Sequence, residues 1–312
     1  MIDAIGIVSG VLGIVGFIQD QIPEKPTEGA AIRIKAGSGG TDDEGSGGEV
    51  SAAYAWGVDN SYLGRGDGGS MEQGGIVDTM IDSFSNGARA EYAGISVARD
   101  AVCVAWISVR QYDNTPGGAW TGDIGYECGQ AWYANKEKAG YLDEDQTEDY
   151  IPRCTWLDAN LKEGTKSASM KFDTSAYGEK VKDTLDNKDA CDYTLWGEDD
   201  APISGAPGKR ANHPRLPWME RKLVVSNLKQ HKAEDLCSSE TSWGPDFIGT
   251  DGQFCDMGTK KLTPLCTTKD VDGCIVVDDD KKTLTRRSRV AKRETHITHK
   301  TYKAIDHWET GK

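Results

Sequence analysis

Eight cysteines, Cys103, Cys128, Cys154, Cys191, Cys237, Cys255, Cys266 and Cys274, set the tightest limit on what this chain folds into. Their number is even, no two form a Cys-x-x-Cys pair, and no Cys/His set has the spacing of a zinc site. Several lie in aromatic or β-like runs, such as Cys103-Val-Ala-Trp and Cys128-Gly-Gln-Ala-Trp-Tyr. Four disulfides are expected, with reduced buried thiols as the alternative. Neighbour pairing along the chain would join 103–128, 154–191, 237–255 and 266–274. Disulfides imply an oxidising compartment, so an extracellular or cell-surface location is expected; a cytoplasmic one follows if the thiols stay reduced. The N-terminus does not read as an ordinary secretory signal, because Asp3 is acidic and no Lys or Arg precedes the apolar run. A leader upstream of Met1, or unconventional export, would reconcile the two.

Strand signals dominate the first two hundred residues. Ala31-Ile-Arg-Ile-Lys alternates, and Ser51–Val58, Gly94–Val97 and Ala101–Arg110 are apolar, β-type runs. Asp113-Asn-Thr-Pro-Gly-Gly118 is a turn, after which Ala119–Gly122 and Tyr126–Ala134 read as returning strands. Cys154–Leu157 and Ser167–Phe172 continue the pattern, and Asp173 or Thr174 is placed to cap a helix over 175–186. Nine Trp and eleven Tyr supply core area that the low aliphatic content does not. Lys222–Leu228 and Cys274–Asp278 read as strands of a second segment. The fold expected is mainly β (α+β): a β-sandwich-like core over 23–198, a glycine-rich helix over 1–22 and a Pro-rich arm over 199–221. A small Cys-rich lobe over 222–280 and a basic C-terminal tail over 281–312 complete it.

Residues 2–19 read as one helix with Gly6, Ser9, Gly10 and Gly13 on a single face and Gly16 just beside it. Glycine weakens a helix by about 1 kcal/mol per residue, so this one needs a compensating contact. Close backbone packing of the small-xxx-small kind provides it, against the protein's own core, a second copy or lipid. The uncharged run Ala4–Ile18 makes about 22 Å of helix, shorter than a bilayer span. Self-association is therefore favoured over spanning.

The formal net charge is −14, which excludes free nucleic acid as a partner of the main body. Residues 281–312 run against this, with ten Lys/Arg and three acids. Such a tail would fold back on the acidic body or meet an anionic lipid or wall polymer. Lys209-Arg210 and Lys292-Arg293 are dibasic pairs of the kind that kexin-type proteases cut. No motif carries chemistry. The Gly-rich loop 37–48 lacks the Gly-Lys-Ser/Thr end of a phosphate loop, and neither His-Glu-x-x-His nor Gly-x-Ser-x-Gly occurs. His296, His299 and His307 read as surface histidines rather than metal ligands. Asp270-Val-Asp272-Gly273 lacks the oxygen ligands of a calcium loop. Arg65-Gly66-Asp67 reads as a chance tripeptide in a Gly-rich turn. No cofactor or metal is expected, and the chain is more readily a non-enzyme than an enzyme.

The runs Asp100-Ala-Val-Cys-Val-Ala-Trp, Trp120-Thr-Gly-Asp, Cys128-Gly-Gln-Ala-Trp-Tyr, Gly244-Pro-Asp-Phe, Phe254-Cys-Asp-Met and Leu265-Cys resemble a family from filamentous ascomycete fungi. Its members also begin with a Gly-rich apolar segment like residues 5–18. The resemblance implies a fungal source and a shared fold, and no chemistry. The same segment is similar to the leading helix of fungal HeLo-type cell-death domains, which implies membrane contact. The expectation for function is a non-enzymatic fungal protein that self-associates through residues 2–19 into an oligomer or filament at or outside the cell surface. The alternatives are a membrane-active toxin or effector that inserts this helix, and a cell-wall glycan binder or hydrolase that uses Trp faces.

Overall fold

A computed structural model describes residues 29–38, 45–81, 88–113, 116–143, 145–161, 165–203, 217–239, 242, 244–290 and 293–309. The N-terminal helix with Gly6, Ser9, Gly10, Gly13 and Gly16, and the pair Lys209-Arg210, lie outside these residues, as does Lys292. The chain forms two compact units that divide within the Pro-rich arm.

The first unit runs β1 (Ala30–Ala36), β2 (Gly48–Trp56), β3 (Tyr62–Met71), β4 (Ile76–Ile81), β5 (Tyr92–Val97), β6 (Val102–Gln111) and β7 (Pro116–Thr121). It continues with helix α1 (Gly122–Glu127), β8 (Trp132–Tyr133), β9 (Gly140–Tyr141), β10 (Asp149–Tyr150), β11 (Cys154–Leu157), β12 (Ser169–Asp173), helix α2 (Val181–Asp186) and β13 (Thr194–Gly197). Two antiparallel sheets result. One has the order β4-β1-β6-β11-β8 with β7 also on β6, the other β13-β12-β5-β2-β3, and β9 and β10 pair separately. The sheets share one core, to which β1 gives Ile32 and Ile34, β5 gives Ile95 and Val97, and β6 gives Val104 and Ile107. Trp120 and Trp196 meet edge to face in it at 5.9 Å. Period-two alternation sends the other residues of β1 outward, where Arg33 grips Asp78 with two bonds of 2.6 Å and Lys35 pairs with Glu137.

Three expectations change here. Cys103 bonds Cys154, and Cys128 bonds Cys191, instead of 103–128 and 154–191. The reason is strand order: β11, not the segment after β7, lies beside β6, with Cys103 opposite Trp156. Residues 122–127 curl into α1 instead of returning as a strand, and this carries Cys128 away from β6. Arg65-Gly66-Asp67 lies in strand β3, not in a turn. A Cβ on Gly66 would stand 2.3 Å from Thr79 Cγ2 and 2.4 Å from the Met80 carbonyl oxygen, so the glycine permits β3 to approach β4. Finally, the helix expected over 175–186 is shorter: Asp173 Oδ1 accepts the N–H groups of Ser175 and Ala176 and closes a turn, and α2 begins only at Val181.

The second unit holds helix α3 (Pro217–Glu220), β14 (Lys222–Ser226), helix α4 (Ala233–Ser238), β15 (Asp246–Ile248), β16 (Gln253–Asp256), β17 (Lys261–Pro264), β18 (Ile275–Asp278), β19 (Thr283–Val290), β20 (Arg293–Thr301) and β21 (Ala304–Trp308). Its sheet has the order β17-β16-β15-β14-β21, with β14 parallel to both neighbours, and β18-β19-β20 form a second sheet. Cys237–Cys255 ties α4 to β16, and Cys266–Cys274 closes the approach to β18, both as neighbour pairing anticipates. Thr283–Val290, Arg293–Thr301 and Ala304–Trp308 are therefore strands of this unit and not a tail, and Arg293 opens β20. Alternating Thr, Val and Ile favour strands here in spite of the charge. Lys300 bridges Asp246 and Asp256 at 2.8 Å each, Arg287 pairs with Asp270 at 2.6 Å, and buried Lys222 pairs with Asp306.

Candidate functional site

The outward face of the β13-β12-β5-β2-β3 sheet concentrates aromatic side chains. In β2 the residues facing away from the core are Ala52, Tyr54 and Trp56, which form a cluster of their own joined by Tyr92. Strand register extends this cluster sideways. Trp56 lies opposite Tyr62 of β3 on one side and Tyr92 of β5 on the other. Tyr92 lies opposite Asp173 of β12, whose N–H reaches the carbonyl of Tyr193 just before β13. The row Tyr62–Trp56–Tyr92–Asp173–Tyr193 thus crosses five strand positions, about 19 Å at the usual strand spacing. Tyr62 and Tyr193, at its ends, are 44% and 40% exposed, and Trp56 between them is buried.

The rings contact one another. Tyr54 and Trp56 have centroids 6.0 Å apart, and Trp56 meets Tyr62 edge to face at 6.2 Å. Gly94 makes room for the indole: a Cβ there would lie 3.1 Å from Trp56 Cζ3. Tyr54 shares a 3.1 Å hydrogen bond with Ser96 and donates to the Asp200 carbonyl at 3.4 Å.

Lys171 of β12 sits among these rings. Its Nζ lies 4.0 Å from the Trp56 centroid and 5.1 Å from that of Tyr92, and donates to Asn60 Oδ1. The residue is 3% exposed. Burial pulls its ammonium down to about 8 from the ordinary 10.5. Burial also raises the Tyr62 phenol, helped by Tyr54 and opposed by Arg65, and raises that of Tyr92 together with Asp173 and Glu91.

Other constellations are closed to a ligand. Ser226 Oγ lies 2.8 Å from His231 Nδ1, which resembles a nucleophile–base pair, but Ser226 is 1% exposed and its Oγ accepts the Leu228 N–H. Asp246 and Asp256 share the Lys300 ammonium, and Asp246 also accepts from Tyr302 at 2.7 Å and from the Met257 N–H at 2.9 Å, so this carboxylate is consumed within the fold. His299 packs on Phe254 and is lowered first by burial and then by Arg286 and Lys300. His307 pairs with Asp279 at 3.0 Å. Among the described residues no group of three His, Cys, Asp or Glu side chains stands where it could hold a metal ion. Among them, too, no helix is long and apolar enough to cross a membrane.

The aromatic row was not visible in the sequence. Its members come from four separate segments, and the one local signal was Tyr54 and Trp56 at alternate positions of β2. No family model, curated protein or solved structure matches the chain.

Proposed function

We propose that this is a non-enzymatic glycan-binding protein acting outside the cell, with Tyr62, Tyr92 and Tyr193, set on buried Trp56, as its binding face. The observation that supports the reading is the row itself. Sugar rings present C–H faces that stack on aromatic rings, and a line of aromatics across a rigid sheet suits an oligosaccharide rather than one sugar. Four disulfides are compatible with an oxidising compartment, which agrees with the location proposed. The test is retention on insoluble polysaccharides. Tyr62→Ala with Tyr193→Ala removes two exposed rings without touching the core. At about 0.5–1.5 kcal/mol per ring, retention drops by roughly fivefold or more. Unchanged retention of the double variant rejects the face as the binding site. Self-association or membrane contact through residues 2–19 concerns residues outside the described ones and stands as a proposal from sequence.

A further inference from the structure

Charge around the row narrows the ligand. Asp173 is a member of the row, Glu91 adjoins Tyr92, and Asp192 adjoins Tyr193; Asp192 is exposed, and Glu91 and Asp173 are half-buried. Asp59, exposed, lies in the β2–β3 turn beside Asn60. The cations nearby are already engaged. Arg65 stands 3.5 Å from Asp67, and Lys171 is enclosed by Asn60, Trp56 and Tyr92. What the row offers a ligand is therefore the exposed rings of Tyr62 and Tyr193 and the half-buried ring of Tyr92, with Asp173 and Glu91 close enough to act on the Tyr92 phenol. The same rings hold a primary ammonium from within, that of Lys171, which shows the kind of group they accommodate.

Resting on the glycan-binding reading, we propose that the ligand is an amino-sugar polymer with free ammonium groups, its rings stacked on Tyr62, Tyr92 and Tyr193, with buried Trp56 as their support, and its ammonium groups paired with Glu91, Asp173 and Asp192. A neutral glycan gains no charge pairing from these acids, and an acidic one is repelled by them. The attraction is between opposite charges and needs the ammonium form of the polymer. It also weakens with salt, because the acids sit at the surface.

The experiment compares co-sedimentation of the full chain with one amino-sugar polymer in its N-acetylated and its deacetylated form, at about pH 5.5 and low salt. The deacetylated form is expected to bind about tenfold tighter. The triple variant Glu91→Gln, Asp173→Asn, Asp192→Asn erases that preference, so that it binds the two forms equally. The control Glu72→Gln, Glu127→Gln, Asp145→Asn removes the same charge away from the row and keeps the preference. Equal binding of both forms by the wild type overturns the inference and spares the glycan reading. Loss of the preference in both triple variants also overturns it, since bulk charge then explains the attraction. No binding to either form, or to other polysaccharides, defeats the glycan reading as well.

Discussion

Replacing Lys171 with Met should stabilise the protein at neutral pH and lose part of that advantage in alkali. Burial lowers the ammonium to about 8 from 10.5. That difference corresponds to about 3 kcal/mol against keeping the charge in the fold. The contacts with Trp56 and Tyr92 return some of it, about 1–2 kcal/mol for a desolvated cation over aromatic faces. Met fills a similar volume and has no charge to bury, so at pH 7 the variant gains about 1–2 kcal/mol. The sign with pH follows from proton counting. Below about 8 the lysine is protonated in both states and its effect is constant. Between about 8 and 10.5 the unfolded chain holds the proton that the folded chain has released, so wild-type stability rises with pH. By about pH 9.5 the wild type has recovered about 2 kcal/mol relative to the variant. Urea unfolding followed by Trp fluorescence at the two pH values measures this directly. A variant less stable than the wild type at pH 7, or a difference that does not change with pH, refutes the reasoning: Lys171 would then be held by its hydrogen bond and ring contacts well enough to offset its burial.

Removal of disulfides should follow loop length. Cys103→Ala with Cys154→Ala opens a 51-residue loop and costs about 4 kcal/mol, whereas Cys266→Ala with Cys274→Ala opens an 8-residue loop and costs about 2.5 kcal/mol; the reverse order in urea unfolding would show that native packing outweighs chain entropy. Gly10→Leu should block assembly if the small-residue face of residues 2–19 packs helix on helix, so an unchanged particle size by light scattering removes the basis for self-association.

Local pattern carried as far as local pattern determines structure. The alternation at Ala31–Lys35 and the apolar run at 101–110 became β1 and β6 because each signal lies within one strand. The two pairings of the second unit were legible because their cysteines are close in sequence, 18 and 8 residues apart. Cys103–Cys154 was not, because it depends on which strand lies beside β6, and that is decided by the whole sheet. The basic run was misread for a different reason. Its charges suggested a tail folded back on acidic residues; Lys300 does pair with Asp246 and Asp256, but from within a strand, because Thr283–Thr301 has the β-branched content of a hairpin. The candidate site shows the same limit: Tyr62 and Tyr193 join one row only after five strand positions are in register.

The crossing of the two bonds in the first unit bears on how the protein is made. Cys128 lies inside the loop closed by Cys103 and Cys154, and Cys154 lies inside that closed by Cys128 and Cys191. Where the thiols oxidise during synthesis, the growing chain offers Cys128 to Cys103 before Cys154 has appeared. Oxidation in order of arrival therefore yields the wrong partners, and reaching the native set requires either that β6 and β11 pair before the thiols react or that a thiolate later attacks the early bond. Such reshuffling takes seconds to hours. The second unit, whose cysteines pair in order, escapes this delay. Oxidative folding of the whole chain is thus paced by its first half, and disulfide isomerase should raise the yield of native protein above that of oxidant alone.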